Sequence, residues 1–214
     1  MYVSHESPIS FLEQSRSYND YDYALVHLFE THPEYYQFFK DSIKLGRQVL
    51  LDNSIFELGE SFDSEKFAKY ANELKPSFYI VPDVLEDGYA TIKSFSEFTA
   101  KHPDLPGLKI GAVQGKTYDE IVDCYKYMSD YADYIAISFD FSYYLVTGRG
   151  RTKLERWCDG RRRLIAQLKS DGIWNKDKPH HLLGCSLAKE FKSYAGDTSI
   201  RSVDTSNPVV AGIK

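Results

Sequence analysis

Short apolar runs recur along this chain, and stretches of helical periodicity separate them. The runs fall at residues 1–4, 24–29, 48–52, 78–83, 109–114, 134–139, 181–185 and 200–204. Each is rich in Val, Ile, Leu, Phe or Tyr and too short for a helix, which predicts buried strands. Between them, Phe67, Tyr70, Ala71 and Leu74 give residues 64–74 one apolar stripe at a spacing of three and four. Residues 117–128 open on Thr117 with Glu120 three positions later, the pattern of a capping box, and continue with Ile121, Val122, Tyr125 and Met128 on one face. Residues 161–169 and 187–194 read the same way. Strands alternating with helices predict βαβ units and a parallel sheet. Eight such units close into a (β/α)8 barrel of the TIM type, here one domain over residues 1–214 and compact beside the usual length of about 250. A doubly wound open sheet is the alternative.

Composition narrows the function more than the fold. Apolar residues make up 43% of the 214 positions, enough for a full core, so the 17 tyrosines are read first as packing residues with a polar tip. The net charge of −5 argues against a protein held to nucleic acid by charge alone, because such domains are basic. Any nucleic-acid contact is therefore local. The densest basic stretch holds Arg149, Arg151, Lys153 and Arg156, followed by Arg161, Arg162 and Arg163; it reads equally as a solvated helix face and as a phosphate-binding face. Cys124, Cys158 and Cys185 are widely spaced with no CxxC pair, so neither a zinc ribbon nor a disulfide framework is expected. The start of the chain has no apolar leader pattern and no run of apolar residues long enough to span a bilayer. A cytoplasmic protein without membrane association is expected.

Chemistry-bearing residues gather at the ends of the runs. Successive runs end in Asp52-Asn53-Ser54, Pro82-Asp83, Gln114-Gly115, Ser138-Phe139-Asp140, Gly184-Cys185-Ser186 and Asp204-Thr205-Ser206-Asn207-Pro208. In a (β/α) barrel these positions meet on the face where active sites lie. Taken singly, an Asp after a strand caps the next turn. Asp52, Asp83 and Asp204 together repel one another unless a ligand, a metal or a proton separates them, and that cost favours a site. Two chemistries suit it. The carboxylates could hold a divalent cation, or divide into nucleophile and acid/base as in glycoside cleavage. Gln114 supplies one acceptor and two donors, suited to the edge of a heterocycle.

The segments Asp52-Asn53-Ser54-Ile55-Phe56-Glu57, Val81-Pro82-Asp83, Gly111-Ala112-Val113-Gln114-Gly115, His181-Leu182-Leu183-Gly184 and Val203-Asp204-Thr205-Ser206-Asn207-Pro208 resemble, in this order, those of the tRNA-guanine transglycosylase superfamily. The resemblance covers residues 48–208. It implies exchange of guanine for a 7-deazaguanine base through a covalent enzyme–nucleic acid intermediate. Asp204 would be the nucleophile at the sugar C1′ and Asp52 the general acid/base. Asp83 and Gln114 would grip the base edge, with Asn53, Gly115 and Ser138 beside them. Gly184 would let the base lie against backbone, and Phe56 and Leu183 would sandwich its faces.

Departures from the family pattern shift the expected substrate. The Cys-rich zinc cluster that follows the last strand in the family is absent, Ile137-Ser138 replaces a Gly-Gly pair, and the Arg after the Asp-x-x-x-Pro segment is missing. The chain thus looks like the small, zinc-free phage and bacterial relatives that place deazaguanines in DNA. That implies no metal, no cofactor, a DNA or RNA partner met partly through Arg149 and Arg151, and pairing into a homodimer. Three other readings stay open on the residues: an N-glycosidase acting on a modified base or nucleotide, a metal-dependent barrel enzyme using the same carboxylates, and an inactive barrel kept as a nucleic-acid-binding subunit.

Overall fold

A computed structural model describes residues 1–139 and 141–213, and Asp140, which ends the sixth apolar run, lies outside the described residues. Eight strands form one sheet: β1 (Tyr2–His5), β2 (Asp22–Leu25), β3 (Val49–Asp52), β4 (Phe78–Ile80), β5 (Leu108–Val113), β6 (Tyr134–Ile137), β7 (His180–Leu182) and β8 (Ile200–Thr205). Their order is β1-β8-β7-β6-β5-β4-β3-β2, with every pair parallel. The two end strands approach each other where Asp20 N–H donates to the Val3 carbonyl (2.9 Å) and Val3 N–H donates to the Asp20 carboxylate (2.8 Å). The sheet is therefore a nearly closed (β/α)8 barrel. The helices are α1 (Leu12–Arg16), α2 (Leu28–Thr31), α3 (Pro33–Lys44), α4 (Ile55–Leu58), α5 (Ser64–Leu74), α6 (Gly88–Lys101), α7 (Tyr118–Tyr131), α8 (Ser142–Thr147), α9 (Lys153–Ser170), α10 (Ala188–Ser193) and α11 (Asn207–Ile213).

Side chains alternate across a strand with a period of two, and this sorts the core. Tyr23, Leu50, Ile80, Ile110, Ala112, Tyr134 and Ala136 form a cluster inside the barrel. Their neighbours Ala24, Val49, Leu51, Tyr79, Val113, Ile135, Ile137, Leu182 and Val203 face the helices and meet Phe39, Phe67, Ile121, Met128 and Leu168 in the outer cluster. Full burial of such side chains contributes about 1.5–3 kcal/mol each. The same parity carries past the strand ends and turns Asp52, Gln114, Ser138, Leu183 and Asp204 toward the axis. Among the described residues no helix is long and apolar enough to cross a membrane.

Several expected boundaries move. The run at 24–29 is strand only to Leu25; Leu28–Thr31 is a helical turn whose Phe29 packs on Tyr36 (4.7 Å). The helix expected at 161–169 starts at Lys153, because Thr152 and Glu155 form a capping box that stabilises an earlier start. The box expected at Thr117 is half formed. Thr117 caps Glu120 N–H (3.3 Å), but the Glu120 carboxylate takes Gly88 N–H (2.7 Å) and Lys116 N–H (3.0 Å), tying α6 to α7.

Candidate functional site

Asp204 is the centre of the polar group inside the barrel mouth. It is 2% exposed, and both of its oxygens accept from Gly184 N–H, at 3.1 and 3.0 Å. Oδ1 also meets His181 Nε2 at 2.9 Å. An ionised carboxylate only accepts, so the imidazole proton sits on Nε2. His181 Nδ1 then accepts from the Ser202 hydroxyl (2.9 Å), which in turn lies 2.9 Å from the Tyr134 hydroxyl. Burial, and then the Arg161 charge, lower His181 to about 3, so it is a neutral donor. Gly184 holds φ +58°, a left-handed backbone that suits glycine and aims its amide at Asp204.

A further carboxyl completes this centre. Glu6, one residue past β1, is anchored by its N–H to the Thr205 carbonyl (3.0 Å), and its side chain faces Asp204. Burial and the neighbouring Asp204 charge raise Glu6 well above the ordinary carboxylate range. The proton is therefore favoured on Glu6 more than on an ordinary carboxyl, next to Asp204. Donors around a carboxylate act to lower its pKa, but at Asp204 burial outweighs them. The group is raised to about 6 despite Glu6 and the Gly184 hydrogen bonds.

Asp52, the last residue of β3, is held differently. The Tyr23 hydroxyl donates to Oδ2, and Ser54 N–H donates to Oδ1 at 2.6 Å. Burial first and the Glu57 charge second raise it well above its ordinary value. Tyr23 links the two acids: its hydroxyl binds Asp52 and its ring stacks on His181 at 6.2 Å and 17°.

Asp83 belongs to a separate, sealed network. It is 4% exposed. Asn53 Nδ2 donates to its Oδ1 (2.7 Å) and Gln114 Nε2 to its Oδ2 (2.6 Å). Gln114 Nε2 also meets Ser138 Oγ (3.3 Å), while Gln114 Oε1 accepts Glu86 N–H (2.9 Å). The expected base-edge residues are thus brought together, but their polar atoms bond one another and Glu86 N–H. Gly115 lies beside Gln114 at φ +152°, and a Cβ there would meet Ile121 at 2.9 Å, so the close approach of α7 accounts for this glycine. Phe56 is 67% exposed on α4, whereas Leu183 packs into the mouth of the inner cluster.

The basic stretch divides. Arg149 and Arg151 are exposed on the connection between α8 and α9. Arg162 and Arg163 pair with Asp159 at 3.8 and 2.7 Å. Arg161 lies on neither a solvated nor a phosphate-binding face: it is fully buried and bonds Glu190 through two contacts, 2.7 and 3.1 Å. Nothing in the sequence pattern assigns roles to Glu6, Tyr23 or Glu57, and the fold alone brings them to the mouth. Parity offers a signal for His181, since an inward Leu183 places it inward too. Among the described residues no three His, Cys, Asp or Glu side chains are grouped to hold a metal ion. No protein-family model and no curated protein matches the chain.

Proposed function

We propose that this chain is a base-exchange glycosyltransferase that replaces guanine with a 7-deazaguanine derivative in a nucleic acid, DNA rather than tRNA. The observation that supports this is the contrast between two carboxyl groups at one barrel mouth. Asp204 receives Gly184 N–H and His181 Nε2–H and faces the Glu6 carboxyl; these oppose the rise that burial imposes and hold the group at about 6, so that it is an anion at neutral pH, as a nucleophile needs. Asp52 sits beside Glu57 and is raised well above its ordinary value, which suits a proton carrier.

In this reading Asp204 attacks C1′ of the sugar. The bond from C1′ to the base nitrogen breaks as Asp52 protonates that nitrogen, through an oxocarbenium-like transition state. The entering base then returns its proton to Asp52 and attacks C1′, and the Asp204 carboxylate departs. Two displacements retain the anomeric configuration. His181 and Gly184 hold the carboxylate in both steps without changing charge. Base recognition by Asp83 and Gln114 requires residues 84–86 to release Gln114 Oε1. Arg149 and Arg151 supply the phosphate contact.

The test is incubation with guanine-containing DNA and a labelled 7-deazaguanine, followed by a denaturing gel and the exchange assay. A gel-stable adduct in the wild type, absent in Asp204→Asn, is the expected result. Adduct formation should rise as pH passes about 6, where Asp204 ionises, and fall again where Asp52 loses its proton. An adduct mapped to another residue, or full turnover in Asp204→Asn, would refute the assignment. Base release without incorporation would favour an N-glycosidase.

A further inference from the structure

The peptide between Leu183 and Gly184 is bonded at both ends by charged groups. Its N–H donates to both oxygens of Asp204, at 3.1 and 3.0 Å. Its carbonyl accepts from Arg161 Nη1. The guanidinium comes from α9, in the outer layer. Nε and Nη2 grip Glu190 of α10 at 2.7 and 3.1 Å, and both side chains are 0% exposed. Nη1 also lies 3.4 Å from the Ile137 carbonyl and 3.5 Å from that of Ser138, at the end of β6. The guanidinium carbon stands 4.8 Å from the centre of the Phe139 ring, and Phe139 is the side chain nearest to where a Gly184 Cβ would be. Tyr194 Oη (3.1 Å) and Cys185 Sγ (3.4 Å) donate to Glu190 and fix the other half of the pair.

We infer that Arg161, locked by Glu190, is the positioning residue for Asp204: it orients and polarises the Leu183–Gly184 peptide so that its N–H meets the reactive carboxylate. A peptide group is planar, so fixing the carbonyl fixes the direction of the N–H. Hydrogen bonds in series polarise one another, and a cation on the carbonyl strengthens the amide as a donor. A buried cation without an anionic partner would be costly; Glu190 balances it. The pair therefore does more than fill the core, which apolar residues of the same volume could also do. The link to catalysis rests on Asp204 being the nucleophile, but the geometric role does not.

The experiment compares wild type, Arg161→Lys, and the double variant Arg161→Met with Glu190→Leu. The double variant removes both charges together and so avoids stranding one of them. The first readout is amide hydrogen exchange at Gly184 by NMR, referenced to core amides of β4. Gly184 should exchange at least about 10-fold faster in both variants, the equivalent of about 1.4 kcal/mol of protection, with β4 unchanged. The second readout is the 13C titration of the Asp204 carboxyl. Glu6, Tyr21, Tyr23, Asp52 and His181 face it from the strands and their flanks and are the same in all three proteins. Loss of the guanidinium should move the midpoint up in the double variant and leave it near wild type in Arg161→Lys. Unchanged Gly184 protection and an unmoved midpoint in a folded double variant would overturn the inference. If both shifts appear but the wild type forms no adduct with DNA, the base-exchange reading fails and the positioning role stands.

Discussion

Replacing Asp204 with asparagine should remove the adduct and at the same time stabilise the fold, and the size of that gain follows from the site. Holding the Asp204 midpoint at about 6 in place of 3.8 costs about 3 kcal/mol once the group is ionised. The folded-state value is the raised one, so the native state binds the proton more tightly than the unfolded chain. This favourable contribution is complete below pH 3.8 and is lost as pH rises through about 6. Asparagine carries no charge and incurs no such loss. Its carbonyl can still accept from His181 and Gly184, while an amide group that cannot accept replaces the second carboxylate oxygen, at a cost of about 1 kcal/mol. The net gain above pH 7 is about 2 kcal/mol, a rise in Tm of about 4–8 °C for a chain of this length. Thermal melts of both proteins at pH 4, 6 and 8 measure it. The difference should be greatest at pH 8 and vanish or reverse at pH 4. A lower Tm for Asp204→Asn at pH 8, or the same offset at pH 4 and pH 8, would show that burial does not hold this carboxyl at a cost.

Other substitutions probe the rest of the mouth. Gln114→Ala strips a donor from Asp83 and an acceptor from Glu86 N–H. Guanine binding by calorimetry should weaken roughly 10–100-fold, and stability should fall by about 1–3 kcal/mol because the remaining buried groups are left unpaired; unchanged affinity would remove Gln114 from the base site. Arg149→Glu with Arg151→Glu should lower DNA affinity and reduce the slope of log K against log salt by about 0.9 for each phosphate that is no longer neutralised. A slope unaffected by these changes would remove Arg149 and Arg151 from the phosphate contact, and binding that is insensitive to salt would point to a small nucleotide as substrate.

Much of the barrel could be read from residue pattern. The apolar runs are nearly continuous because barrel strands are buried on both faces, and the stripes between them are helices that cover the outside. Asp52, Asp83, Gln114 and Asp204 stood out because polar residues at the ends of buried runs are costly without a partner. The first helix turn after β2 and the start of α9 were less legible, since Phe29 is apolar in either setting and Lys153–Gly160 is mostly polar.

What the sequence by itself determined is the alternation, and with it the parallel βαβ architecture and the level at which the acids sit, while closure into a barrel came from the tertiary structure. Local patterning suffices for the alternation, because period and run length depend only on near neighbours. Only the tertiary structure decided which acids share a site. Glu6 and Asp204 lie at opposite ends of the chain and meet because β1 pairs with β8. Asp83 is drawn into its own network by Asn53 and Gln114. The same holds for charge: Arg161 stands in a basic run with Arg162 and Arg163, yet it is buried against Glu190 because α9 turns that one position toward the ends of β6 and β7. Burial and long-range pairing set the protonation of these groups, and neither is a property of a residue's neighbours in sequence.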